Sequence, residues 1–120
     1  MLTSNSDWFD FRDSRAGFEA RLWEQGQGYT GRVIEGAFDE ADAYRMVCQL
    51  MAEGTSATAI LAATDRQALG TLAALTDLEV AMPERMAVIG FDNLPTSEFL
   101  RPSLTSVDMP ADRWVPWPFV

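Results

Sequence analysis

The chain has 120 residues, a length for one domain, and 48% of them are apolar, an ordinary share for a folded protein. The net charge is −9, from 18 acids against 9 bases. Every base is an arginine and they are scattered, which argues against direct binding of nucleic-acid phosphates and against anchoring to anionic membranes. Histidine is absent, so Ser-His and Cys-His catalysis and His-ligated metal sites are removed, and no loop has the spacing of a calcium site.

The single cysteine, Cys48, excludes an internal disulfide. It sits among Met46, Val47 and Met51 in a helical pattern, where a small buried side chain is the expected role. The first residues, MLTSNSDWFDF, hold no basic segment followed by an apolar run, so no secretory signal is expected. No apolar stretch reaches the length of about 18 residues that spans a membrane.

In chain order, residues 1–11 are polar and aromatic without period and read as an irregular lead-in. A helical pattern follows from Arg12 to Gln25, with Phe18, Leu22 and Trp23 as its apolar stripe and Gly26 and Gly28 as its stop. Arg32–Glu35 reads as a short strand ending at Gly36. Asp39 reads as the N-cap of a second helix, with Asp42 in its first turn, apolar residues from Ala43 to Met51, and Gly54 as its end. Ala59–Ala63 is an unbroken apolar run of strand length, the pattern of a strand covered on both faces. Asp65–Leu78 is helical, Met86–Phe91 is a second buried-strand pattern, Asp92–Ser103 is a loop, and Leu104–Asp108 is a last short strand. The alternation predicts an α/β domain with right-handed crossovers. The end, WVPWPFV, holds two prolines and cannot be a regular helix.

Parallel strands bring their carboxyl ends to one edge, where ligands bind in open α/β sheets. Phe38 follows the first predicted strand, Thr64 and Asp65 the second, and Asp92 the third. An aromatic face beside carboxylates suits a polyhydroxylated ring: ionised Asp accepts from hydroxyls, and the aromatic ring covers the C–H face. Arg12 or Arg15 would supply a forked donor. Each residue also has a plainer reading: Asp65 as a helix N-cap, Asp92 as a turn residue with Asn93, Phe38 as core, and the arginines as solvated helix residues. No nucleophile is paired with a base and no glycine-rich phosphate loop precedes a helix, so an enzyme is not expected.

These residues also carry a family likeness. The pieces are Arg15-Ala-Gly17-Phe18, Glu35-Gly36-Ala-Phe38, Ala62-Ala-Thr-Asp65-Arg-Gln-Ala68-Leu69-Gly70, Pro83-Glu84, Val88-Ile-Gly-Phe-Asp92-Asn93 and Pro102-Ser-Leu104-Thr105-Ser106-Val107. In residues and spacing the chain resembles the effector-binding domain of LacI/GalR-family transcriptional regulators over Arg12 to Pro110. The resemblance implies a periplasmic-binding-protein-like (type I) fold, specifically the C-terminal subdomain: an incomplete parallel sheet flanked by helices, at residues 12–110, followed by a non-family tail at 111–120. It implies a sugar-like small-molecule effector and no cofactor. Phe38 matches the stacking aromatic, Asp92 the ligand-binding Asp, and Thr64 a position usually held by Asn. Asp65 matches the Asp that follows. Arg15 lies one residue out of register with the family's ligand arginine, with Arg12 as the alternative, and Met109 lies near a position that often carries a polar contact. The implied homodimer interface runs along the helix of Leu69 and the loop of Leu100. The implied location is cytoplasmic, without membrane contact.

The family's helix-turn-helix and its N-terminal subdomain match nothing in this sequence, and the first strand of the C-terminal subdomain reads as weak or missing. DNA contact is therefore expected only through a domain absent here. The leading expectation is a fragment of a sugar-responsive transcription regulator that keeps half of the effector site. The alternatives are a lobe of a solute-binding protein for transport and a self-associating interaction module.

Overall fold

The apolar runs and helical stripes assemble into alternating strands and helices: β1 (Leu2–Thr3), α1 (Phe9–Gln25), β2 (Ile34–Glu35), α2 (Glu40–Glu53), β3 (Ala59–Leu61), α3 (Asp65–Asp77), β4 (Ala87–Asp92), a 3-10 helix (Pro95–Phe99) and β5 (Thr105–Asp108). The structure, a computed structural model, describes residues 1–4, 9–26 and 30–109. The 111–120 tail lies outside the described residues, as does Gly28.

All the strand pairings are parallel. β4 lies between β3 and β5, with Ile60 opposite Val88 and Gly90 opposite Ser106. β1 pairs with β2, Leu2 opposite Ile34. A parallel bridge from Leu2 to Ala62 and a 3.0 Å hydrogen bond from the Ala63 N–H to the Leu2 carbonyl join the two groups. The spatial order is therefore β2-β1-β3-β4-β5.

Two expectations change here. Residues 1–11 are not an irregular lead-in throughout, and the first strand is present: β1 sits between β2 and β3, and α1 begins at Phe9. Two residues are too few to show a period, and pairing on both sides makes them a strand. Trp23 does not share the stripe of Phe18 and Leu22. It is 88% exposed, whereas Phe18 and Leu22 are half-buried. Phe18 and Leu22 are one turn apart, whereas Trp23 lies about 140° round the helix from Phe18. Gly26, at φ +68°, closes α1 with its N–H on the Trp23 carbonyl.

The core is formed by Leu2 of β1, Ala43 and Val47 of α2, Ile60 of β3, Ala74 and Leu75 of α3, and Met86. Cys48 is half-buried against it. α2 and α3 pack closely because α3 carries glycine at the contact: a Cβ on Gly70 would overlap the Glu40 carbonyl oxygen. Beside that contact Arg66 donates through Nε and Nη2 to both Glu40 oxygens, at 2.9 and 2.8 Å. This hydrogen bonding holds the Glu40 carboxyl below its usual range and raises Arg66 in turn. The pair is open to water, so the close helix contact rests on Gly70 more than on the charges.

Further along the same pair of helices, the Tyr44 hydroxyl donates to Asp77 Oδ2 at 2.6 Å. That bond to a carboxylate pushes the Tyr44 phenol from its ordinary 10.0 up to about 12. A raised folded-state pKa means that the protonated form is the one held, so its stabilisation is complete below pH 10 and disappears as pH rises through about 12. We expect ultraviolet titration to show a tyrosine ionising near pH 12 that Tyr44→Phe removes. The stability difference between wild type and Tyr44→Phe, measured by denaturant unfolding, should narrow between pH 10 and 12.

Candidate ligand-binding edge of the sheet

The chain leaves β1 for β2 on one side, then crosses to β3 on the other side of β1. That reversal of strand order opens a crevice at the carboxyl ends of the strands, the position at which doubly wound sheets take ligands. The residues that reach this edge are Ser4 after β1, Gly36–Phe38 after β2, Ala63 and Thr64 after β3, Asp92 and Asn93 at the end of β4, and Asp108 and Met109 at the end of β5.

Phe38 is 63% exposed, so the core reading does not hold. Its backbone is fixed by the start of α2. Asp39 is the N-cap and accepts from the Asp42 N–H at 2.9 Å, while Asp42 Oδ2 accepts from the Phe38 N–H at 3.1 Å. α3 starts the same way. Thr64, not Asp65, is the N-cap, and its hydroxyl accepts from the Gln67 N–H at 3.2 Å. Gln67 Oε1 in turn accepts from the Ala63 N–H at 3.1 Å. Both starts resemble a capping box with the returning side chain reaching one residue further back. The device holds Phe38 and the Ala63–Thr64 turn at the edge.

Gln67 does more than cap. It is fully buried, and its Nε2 donates to the Ala37 carbonyl at 2.8 Å. One amide therefore joins the β2–α2 turn to the end of β3, beneath the crevice. Sequence reading missed it, although Thr64-x-x-Gln67 is a capping-box signature and a glutamine inside an apolar helical face asks for partners.

Asp65 lies below the edge rather than on it. The residue is 3% exposed. Its Oδ2 accepts from the Leu94 N–H at 2.8 Å and the Ser97 hydroxyl at 2.6 Å, and its Oδ1 accepts from the Ser106 hydroxyl at 2.6 Å. Asp92 is exposed at the end of β4 with φ 111°, and Asn93 follows with φ 51°. The turn reading of Asp92–Asn93 thus holds together with the edge position. The Asn93 N–H donates to Ser106 Oγ at 3.0 Å, and its side-chain amide to Asp108 Oδ1 at 3.4 Å.

Arg15 is paired with Glu35 at the end of β2 and with Glu19 on its own helix, at 3.0 Å for the latter. Arg12 is exposed on α1. Leu69 is exposed on α3, beside a shallow hollow of about 520 Å³ between α2 and α3. Leu100 is half-buried just after the 3-10 helix. A larger hollow, about 740 Å³, lies at the amino ends of the strands between Phe18 and Leu22 of α1 and residues such as Ile34 and Leu50, away from the crevice. Among the described residues no group of His, Cys, Asp and Glu is placed to hold a metal ion, and no helix is long and apolar enough to cross a membrane.

An open parallel sheet with a crevice where its strand order reverses, flanked by α2 and α3, is the architecture of one lobe of a doubly wound α/β protein. The sequence pattern of the periplasmic binding protein-like domain matches residues 3–115, and the chain belongs to that family. Over 75 residues, 62% of this chain, it is 37% identical to the HTH-type transcriptional repressor PurR of Haemophilus influenzae, and the match spans 22% of that repressor. A sugar-binding transcriptional regulator of the LacI family from Escherichia coli, solved with phosphate, superposes with a TM-score of 0.85 at 29% identity over 93% of this chain and 41% of that one. The lac repressor dimer bound to operator and the anti-inducer ONPF superposes with a TM-score of 0.82 at 25% identity, over 91% of this chain and 33% of that one. The chain therefore corresponds to part of the effector-binding domain of LacI-family regulators, and spans about a fifth of the repressor it matches.

Replacing Gln67 by Leu leaves the Ala37 carbonyl without this partner and removes the side-chain acceptor of the Ala63 N–H. We expect a loss of about 2 kcal/mol in denaturant unfolding, the scale for stranding a buried polar group. An unchanged midpoint would show that the joint between β2 and β3 does not depend on this amide.

Proposed function

We propose that this chain forms one wall of the effector cleft of a LacI-type transcription regulator and takes a sugar-like small molecule at its carboxyl edge. Phe38 covers the apolar face of the ring, Asp92 accepts from its hydroxyls, and the Thr64 turn lies between them. Arg12 is the freer of the two candidate forked donors, since Arg15 is already paired with Glu35. The observation that carries this reading is that an exposed aromatic ring and an exposed carboxylate flank the crevice where strand order reverses. The likeness to regulators described as sugar-binding and as repressors supports it. On this reading the regulator acts in the cytoplasm, and DNA is contacted by a helix-turn-helix outside the matched residues.

A single wall leaves most of a ligand in water, whereas pockets that bind well enclose most of it. We expect calorimetry of the chain alone to give monosaccharide dissociation constants no tighter than about 1 mM. A tight one-to-one sugar complex would contradict the half-cleft. In a chimera carrying residues 3–115 in place of the matching part of the Escherichia coli sugar-binding regulator, Phe38→Ala and Asp92→Asn should each weaken the sugar response by about tenfold or more. Trp23→Ala should leave it unchanged.

The exposed Leu69 of α3 and the loop of Leu100 form the homodimer surface in this proposal. Light scattering over a range of concentrations should show association that Leu69→Arg abolishes. A stable monomer at high concentration would remove the dimer from the proposal.

A further inference from the structure

We propose that Asp65 is a positioning residue for the carboxyl edge: it sets the direction of Asp92 by holding the residues that follow it, and does not itself meet the ligand. What Asp92 is presented to rests on the effector-cleft reading, but the positioning does not.

The Asp65 carboxylate is an acceptor of hydrogen bonds only, and all three groups that meet it are donors. One is the backbone N–H of Leu94, two residues past Asp92. Another is Ser97, in the 3-10 helix of the connection between β4 and β5. The third is Ser106 of β5, whose oxygen also receives the Asn93 N–H. A relay thus runs from the Asn93 N–H through the Ser106 hydroxyl to Asp65 Oδ1. Asn93 and Leu94 are pinned by one buried anion, directly and through one hydroxyl.

Asn93, at φ 51°, is in the left-handed region that asparagine tolerates, whereas Asp92, at φ 111°, lies outside it and is held there by its surroundings. The two pinned N–H groups follow immediately, so the clamp acts on the turn together with the Asp92–Asp108 strand pairing and the bond from the Asn93 amide to Asp108. The sequence makes room for the clamp. Gly90 lies on the face of β4 toward α3, and a Cβ there would overlap Asp65 Oδ1. Glycine at 90 therefore admits the carboxylate beneath the strand whose last residue is Asp92.

The test uses the whole chain and needs no ligand: residue-resolved amide exchange, together with the strong intraresidue HN–Hα cross-peak that positive φ gives at Asp92 and Asn93. Asp65→Asn keeps the shape and turns part of the acceptor into a donor. Ser106→Ala removes only the relay hydroxyl, at a half-buried position that should leave folding intact. Asp65→Asn should speed exchange at Asn93 and Leu94, and Ser106→Ala exchange at Asn93, by roughly tenfold, the scale of one charge-assisted hydrogen bond. Each should also weaken the positive-φ cross-peaks, with Leu75 and Met86 amides unchanged. Ser106→Thr, which keeps the hydroxyl, should restore both signals. Unchanged cross-peaks at Asp92 and Asn93 in Asp65→Asn and Ser106→Ala would overturn the proposal. So would a rise in exchange at Leu75 and Met86 matching that at Leu94, since Asp65 would then be a general stabiliser. Failure of sugar binding in the chimera, with these signals behaving as stated, would refute the effector reading and leave the positioning intact.

Discussion

The sheet is joined at its middle where β1 meets β3, and the rest of the structure depends on that joint. β1 meets β3 through one bridge, at Leu2 and Ala62. The Ala63 N–H beside it is shared between the Leu2 carbonyl and Gln67 Oε1. The other end of the same glutamine holds the turn after β2. A buried amide with one acceptor and one donor end suits this place, because it satisfies a backbone N–H on one strand and a backbone carbonyl past another. Neither a carboxylate nor a hydrocarbon would do both. The crevice has its shape because Gln67 fixes the relative positions of its two banks.

The far bank is organised by a different group for a matching reason. Past β4 the three groups that meet Asp65 are donors, and its carboxylate receives them. Burying a carboxylate is costly unless it is hydrogen-bonded, and three bonds offset that cost while tying α3 to the loop after β4 and to β5. α3 therefore serves both banks from its first turn: Thr64 caps it, Asp65 reaches one way and Gln67 the other. Its glycine at 70 then lets α2 close on it, so the helix that carries the anchors is itself fixed against the helix that presents Phe38.

What was legible in the sequence follows from where the signal lies. α2, β3, α3 and β4 are marked by apolar runs of the right length and by caps, and Asp39 and Gly54 stand at the ends of α2 as their chemistry predicts. β1 carries no local signal, because two residues become a strand only through neighbours that arrive later in the chain. The strand-end logic placed Phe38, Thr64 and Asp92 at one edge, and they are there. It treated Asp65 as equivalent to Asp92, since both are acids after a strand. What separates them is a residue's position in the first turn of a helix. Thr64 takes the cap, and Asp65, one position on, faces inward over the glycine at 90.

The same buried anchors bear on how such an edge would act in a cleft. The aromatic ring and the carboxylate proposed to meet a ligand are exposed, while the backbone just before or after each is held from beneath by side-chain bonds. An edge fixed in this way loses little conformational freedom when a ligand arrives, which favours binding without adding a contact. It cannot supply the enclosure that affinity requires. The face of β4 and β5 away from α3 is also open among the described residues, with Ile89 38% and Val107 44% exposed, although an apolar run such as AVIGF belongs in a sheet covered on both sides. Rigidity at the edge and missing cover elsewhere are thus separate properties. The first is written into Thr64, Asp65 and Gln67 and belongs to this chain by itself. The cover is not supplied by the described residues, so the edge can be well formed here even where a ligand would be held only weakly.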